Sequence, residues 1–522
     1  MKYLIPNLSS KCKTRLLPLA LLCSLLFTGC KKLLDIESNH AVSEANMWNS
    51  HEDTRAALIG VYGLTRAALA NNNAYWMYGE LRSGDFSSVN RQDLDAIINN
   101  NLHAPMDLLK DLSNWRRFYA IINAANLFLE HVGEVKARDP KYSEQNMNVD
   151  IAQVRFLRAY AYFWLVRIWG DAPLITTSHD GEFADKAKDS QDKILAFIEQ
   201  EMQGAANVLP YKYSSGDVQQ QGQYYNVGGD KWNDVLVKKT SVYAVMAHVA
   251  AWQGKYSLVE AYTRFVLDNA GKVPHSFMKT DDLTKGSGFF TGTSKAVGNQ
   301  IPIWCINSEY AKGEAAYSGH LEELTLAAPV ISKNLPEIYV PKDTVLKLFD
   351  QLTDERFALD SITGFPTSDR YFTAFSNHMP IFSKIKVVQD GSVANPNYRI
   401  FASAIIVTRM EELTLLRAEA LAVLGNTQGA IDQLNQIRDL RKIGKYNAAL
   451  EGDLVDAIFK ERRKELIGEG WRWFDIIRYN KIKHNDPAFL KMMNEGGIYW
   501  PIADDVLSTN HLISQQPYWL NR

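Results

Sequence analysis

The chain has 522 residues, a formal charge of −2 and 46% apolar residues. That is enough to bury a substantial core in one large domain or two or three ordinary ones. A near-neutral, slightly acidic balance excludes a protein built to neutralise nucleic-acid phosphates. Of the 4 cysteines, Cys12 and Cys23 fall in an N-terminal leader and Cys30, which closes it, is expected to be consumed by lipid, so Cys305 stands alone and no intrachain disulfide is expected.

The leader begins with Lys2, Lys11, Lys13 and Arg15 and continues into an apolar run from Leu16 to Phe27. That run is too short to span about 30 Å of hydrocarbon, and with Phe27-Thr28-Gly29-Cys30 behind it the segment reads as an export signal closed by a lipobox. Phe27 stands where such boxes usually carry Leu. Residues 1–29 are expected to be removed, Cys30 to become a lipidated N-terminus, and residues 30–50 to serve as tether and N-terminal segment. A diacylglyceryl thioether plus an N-acyl chain, at about 0.8 kcal/mol per buried methylene, exceeds the two signals that stable anchoring needs. Loss of the four leader cations makes the mature chain more acidic than the whole.

Helical periodicity governs residues 51–270. Ile151, Val154, Leu157, Ala161, Trp164, Leu165 and Ile168 recur at spacings of three and four, and Gly170 with Asp171-Ala172-Pro173 stops that helix. A second helix runs from about Ser190 to Leu209 before Pro210. Val235 to Trp252 and Ser257 to Asn269 form a hairpin about Gly254-Lys255. In residues 401–522, Arg409 to Leu424 and Thr427 to Arg441 form a similar one about Gly425-Asn426. Val259 and Ala430 follow their glycines by five residues, where two antiparallel helices would touch. The layout is tetratricopeptide-like, without a tandem 34-residue period. The expected fold is therefore mostly α, one compact domain of helical hairpins interrupted by insertions.

The largest insertion spans residues 271–400. Gly286, Gly288, Gly292 and Gly298 punctuate it, Pro336, Pro341 and Pro366 break any long helix, and Ile301 to Ile306 reads as a short buried strand. Irregular structure with little sheet is expected, and loops of this length within a compact domain are commonly functional.

Catalytic signatures are sparse. His51-Glu52 lacks the second histidine of a zinc helix, and neither a Gly-x-Ser-x-Gly elbow nor a phosphate-binding Gly-Lys loop occurs. The eleven histidines show no metal spacing, so no cofactor or metal is expected. Glu461, Glu465 and Glu469 recur every four residues, interleaved with Arg462, Arg463 and Lys464. They read as a salt-bridged helix surface rather than a general acid and base.

Four blocks in order carry a resemblance. Arg409-Met410-Glu411-Glu412-Leu413 to Ala420, the Gly425 to Arg438 partner helix, Glu461 to Asp475 with its Gly468-Glu469-Gly470-Trp471 centre, and Ala159 to Trp164 leading to Gly170-Asp171-Ala172-Pro173-Leu174 resemble the SusD/RagB family of outer-membrane nutrient-binding lipoproteins. The terminal Trp500-Pro501-Ile502 and Gln515-Gln516-Pro517-Tyr518 lack the Asn-Pro forms common there. The resemblance implies a lipid-anchored protein on the outside of the outer membrane of Bacteroidetes-type bacteria. It implies capture of oligosaccharides, or in some members peptides, and delivery to a SusC-like TonB-dependent transporter, without catalysis.

A sugar ring offers a face of C–H groups, and burying about 100 Å² of it on an aromatic side chain yields roughly 2.5 kcal/mol. Two loop regions supply candidate rings: Tyr75, Trp76 and Tyr78, after the amides of Asn71 to Asn73, and Phe289, Trp304, Tyr310 and Tyr371 in the insertion. Trp164, Trp169 and Trp473 are assigned to core or helix junctions. Two other classes remain open at this stage: a glycoside hydrolase, which needs two carboxylates about 5 to 10 Å apart, and a protein-interaction scaffold that binds no glycan or peptide.

Overall fold

The computed structural model describes residues 47–520 except 179–183, 221, 294–297, 299 and 391–398. The leader and Cys30 lie outside the described residues. Eight helices form four successive hairpins: α1 (His51–Ala70) with α2 (Arg116–Arg138), α3 (Glu144–Trp169) with α4 (Gln191–Val208), α5 (Lys239–Trp252) with α6 (Tyr256–Asp268), and α7 (Met410–Val423) with α8 (Thr427–Leu440). Each helix packs on the next, so the hairpins stack into a tetratricopeptide-like array. Two more helices, α9 (Leu454–Leu466) and α10 (Arg472–Lys483), close it, with α9 lying on both α7 and α8. Among the described residues, no helix is long and apolar enough to cross a membrane.

Local sequence sets the ends. The Asp53 carboxylate accepts the Ser50 N–H at 2.8 Å where α1 starts, and Ser143 caps α3 by accepting from Asn146 N at 3.0 Å. Gly254 and Gly425 adopt φ of 74° and 80°, the left-handed geometry that ends α5 and α7, and Val259 and Ala430 are buried against the partner helices as their spacing predicts. α3 is more than the single stripe expected: from Phe156 to Gly170 every residue is buried, Arg158 and Arg167 included, because α1, α2, α4 and α5 surround it. Trp164, Trp169 and Trp473 are all core residues.

The insertion is irregular with small antiparallel pairs. β1 (Ser87–Ser88) pairs with β3 (Ile338–Tyr339), β2 (Trp304–Ile306) with β8 (Ile405–Thr408), β4 (Phe372–Thr373) with β5 (Ile381–Phe382), and β6 (Val388–Asp390) with β7 (Arg399–Phe401). From Ser50 onward the described residues form one compact unit.

The glutamate row departs from expectation. Glu461, Glu465 and Glu469 are no solvated surface: Glu465 is fully buried and its neighbours nearly so. Arginines from remote segments converge on it, Arg409 at 2.8 Å, Arg441 at 2.6 Å and Arg356 at 3.1 Å. Burial pushes the Glu465 carboxyl up, but Arg441 and Arg409 outweigh that and hold it well below the usual carboxylate range. Nor does the helix continue through Gly470. α9 stops at Leu466, Gly468 and Gly470 take φ of 81° and 77°, and Glu469 reaches Arg409 and Lys384 from that turn. Arg462 then bridges Glu412 and Asp475, making the motif the ionic interior that joins α7, α9 and α10.

Candidate functional site

Where α1 ends, Asn71–Asn73 form a single 3-10 turn with Asn72 and Asn73 at φ of 63° and 50°. Asparagine tolerates this left-handed region better than other side chains that bear a Cβ. Arg117 on α2 fixes the turn, donating to the Ala68 and Asn71 carbonyls at 3.3 and 3.1 Å and to Asn72 Oδ1 at 3.2 Å. Carbonyls that a helix end leaves without a partner are thus satisfied, and the Asn71 and Asn72 amides stay exposed.

The next residues do not continue outward as a loop. Ala74–Gly79 is a helix directed into the core, which corrects the expectation of an exposed ring cluster. Trp76 is 0% exposed and packs edge-on against Phe86, Tyr78 donates to the Leu112 carbonyl at 2.6 Å, and Tyr75 is buried beside Gly470. Three insertion candidates are likewise core. Trp304 meets Phe156 and Tyr160 at 4.9 and 4.7 Å, Phe289 packs on Phe290, and Tyr371 lies in the ionic interior with its hydroxyl toward the Glu465 carbonyl. Of the rings selected from sequence, Tyr310 is exposed, at 46%.

Across from the asparagine turn lies the segment 308–324, and between them opens a cleft of about 680 Å³, within the size range of small-ligand sites. Gly319, at φ 83°, lets the segment approach the end of α1: a Cβ there would stand 2.9 Å from the Ala70 carbonyl oxygen. The Glu323 carboxylate ties both walls, accepting from Gly319 N at 3.1 Å and Asn73 Nδ2 at 3.3 Å. Arg66 of α1 pairs with Glu314 at 2.8 Å. Burial raises the Glu323 pKa and pushes the His320 imidazole down to about 4, so neutral His320 donates from Nδ1 to the Ser403 carbonyl at 3.1 Å.

Tyr317, 62% exposed, stands between Ala316 and Ser318, both of which line the cleft. It was not among the sequence candidates, nor were Arg66, Glu314, His320 and Glu323. The run Gly313-Glu314-Ala315-Ala316-Tyr317-Ser318-Gly319 does carry a signal: its residues next to the tyrosine are small or polar, the composition of a surface segment. Amides, a fixed ion pair and rings at the margin can hold hydroxyl groups and the C–H face of a sugar. Among the described residues, no group of three or more His, Cys, Asp or Glu side chains is arranged to hold a metal ion.

Comparison with known proteins agrees with this architecture. A family model described as "SusD family" matches residues 381–489, and one described as "Starch-binding associating with outer membrane" matches residues 34–223. The chain is 25% identical to SusD-like protein P38 of Formosa agariphila, over 94% of this chain and 96% of that one. A SusD superfamily protein from Bacteroides thetaiotaomicron has 42% identity and a TM-score of 0.81, with 90% of this chain and 99% of that one covered. A SusD homolog from the same organism, at 23% identity and a TM-score of 0.72 over 90% and 98%, shares the fold. With a helical array, a loop-built cleft and these relationships in agreement, the chain belongs to the SusD family, a starch- and glycan-binding family associated with the outer membrane.

Proposed function

We propose that the chain captures an oligosaccharide in the cleft between Asn71–Asn73 and segment 308–324 and passes it to a SusC-like TonB-dependent transporter. We further propose that lipid on Cys30 anchors it on the outer face of the outer membrane. The observation that carries the reading is the cleft shared by the exposed Asn71 and Asn72 amides and the Arg66–Glu314 ion pair, one wall of which, segment 308–324, also carries the exposed residues Tyr310 and Tyr317. Such a mixture orients hydroxyls by hydrogen bonds and leaves rigid apolar surface for the sugar ring. The buried rings Tyr75, Trp76, Tyr78, Phe289, Trp304 and Tyr371 serve as the frame that holds these walls.

A glycan and peptide array probed with the mature protein tests capture. The reading expects retention of one class of neutral oligosaccharide, recovered intact, and sharply reduced retention by Tyr317→Ala. Retention of peptides instead, or release of shortened sugars, contradicts it. Anchoring is tested separately by incorporation of labelled palmitate, expected for the full-length protein and absent in Cys30→Ala. Delivery is tested by co-purification with a transporter from the native outer membrane.

A further inference from the structure

Away from the cleft, a small cavity of about 30 Å³ lies where several segments meet: Trp164 and Arg167 of α3, His248 of α5, Ile406 of β8, the glycine turn at Gly470, and Tyr75 all line it. That volume admits one or two water-sized species and excludes a sugar ring.

Arg167 is 4% exposed, and among the described residues no carbonyl or carboxylate accepts a hydrogen bond from it. Arg356, Arg409, Arg441 and Arg462 are as deeply buried, yet each meets a carboxylate within 3.2 Å. Rings surround Arg167 instead. Its guanidinium carbon stands 4.3 Å from the centre of Phe163, 4.2 Å from Trp164 and 4.4 Å from Phe474, the first two being its i−4 and i−3 neighbours on α3 and the third a residue of the first turn of α10. The rings offset part of the cost of burying the cation, but they supply no counter-charge, and Arg478 acts on it as a like charge. Burial brings its pKa down only to about 10, so Arg167 stays charged at neutral pH.

Unlike its Nε, which is sealed off, the terminal nitrogens of Arg167 keep accessible surface, and so does the hydroxyl of Tyr75, itself 8% exposed; none of these donors has a partner among the described residues. The Glu469 carboxylate also borders the cavity, but Lys384 and Arg409 pair with it and neutralise its charge.

We propose that this cavity binds a small monovalent anion, of the class of chloride, held by the Arg167 guanidinium and the Tyr75 hydroxyl and joining α3 to the glycine turn. A halide brings a full negative charge, accepts N–H and O–H groups from any direction and fits where phosphate does not. Its binding is independent of what the cleft holds.

Crystals of the mature protein grown with bromide in place of chloride, measured at the bromine absorption edge, test the site. An anomalous peak is expected in the cavity, beside the Arg167 terminal nitrogens and the Tyr75 hydroxyl. In solution, the protein should broaden the chloride-35 NMR line, and excess bromide should remove that broadening. Tyr75→Phe, which keeps the ring, should weaken chloride binding about 10-fold, as loss of one hydrogen bond to a charged group does. Arg167→Met, which keeps an unbranched side chain among the rings, should abolish it. Should Arg167→Met fail to fold, Tyr75→Phe carries the same comparison. A cavity that holds water alone in bromide, or chloride broadening as strong in Tyr75→Phe as in wild type, overturns the site.

Discussion

Gly79 lies so close to Gly470 that a Cβ on Gly79 would stand 1.8 Å from the Gly470 carbonyl oxygen. Glu80, the next residue, accepts from Gly468 N at 3.0 Å and Gly470 N at 3.1 Å. The segment that follows the asparagine turn is thereby locked onto the C-terminal glycine turn. Gly79→Ala is expected to cost about 3 kcal/mol or more, since backbone cannot yield as a flexible side chain does. A urea midpoint that implies a loss below about 1 kcal/mol would contradict this contact.

Glu465 is the hub on which Arg356, Arg409 and Arg441 converge. Removing one partner of a buried ionic cluster leaves charge uncompensated, so Glu465→Gln should destabilise by about 3 to 5 kcal/mol. Its depressed pKa gives a sign as well: this stability is present above the unfolded value of about 4.5 and is lost as pH falls below it. The variant should therefore show a shallower acid limb than wild type in thermal melts. Equal limbs would contradict the assignment.

Asp150 gives the opposite sign. It is buried and accepts from the hydroxyls of Tyr142 and Tyr225, both at 2.6 Å, and of Tyr224. Burial pushes its carboxyl up to about 6 even though those hydroxyls favour the charged form. A raised value means stability is greatest below the unfolded pKa of about 3.8 and declines as pH rises through about 6, by about 3 kcal/mol. Relative to Asp150→Asn, wild type should lose that amount between pH 4 and 7. A constant difference across the range would show that Asp150 does not titrate there.

Trp76 and Trp304 separate frame from site. Each is buried among aromatic side chains, so Trp76→Ala and Trp304→Ala should cost about 3 to 5 kcal/mol of folding stability. The folded fraction should keep its ligand affinity. A large drop in affinity at unchanged melting temperature would return these rings to the binding surface.

Much of the frame is legible in the residues. The period of α3, the turns at Gly254 and Gly425, and the small contacts at Val259 and Ala430 follow from spacing and backbone geometry alone. α2 carries an equally clear stripe in Phe118, Ile121, Ile122 and Ala125, all buried. The site is far less legible. Asn73 and Glu323 meet across 250 residues, and no local pattern encodes such a meeting. An aromatic ring in an irregular segment has no period to say which way it faces, which is why Trp304 and Tyr371 look like platforms in sequence and are core in the fold. The glutamate row misleads for a related reason: its i, i+4 spacing is that of a solvated face, and only Arg356, Arg409 and Arg441 arriving from elsewhere make it an interior.

Capture in the cleft is tested most directly by titration calorimetry of wild type, Asn72→Ala and Tyr317→Ala against whichever glycan the array selects. Tyr317 is exposed, so Tyr317→Ala should melt with wild type, whereas Asn72→Ala gives up the Arg117 hydrogen bond and places alanine at φ 63°, so its melting temperature should fall slightly and its affinity is compared well below it. The expected result is a dissociation constant raised about 10-fold or more in each, a loss of about 1.4 kcal/mol or more. Wild-type affinity in both variants would show that the ligand is held elsewhere.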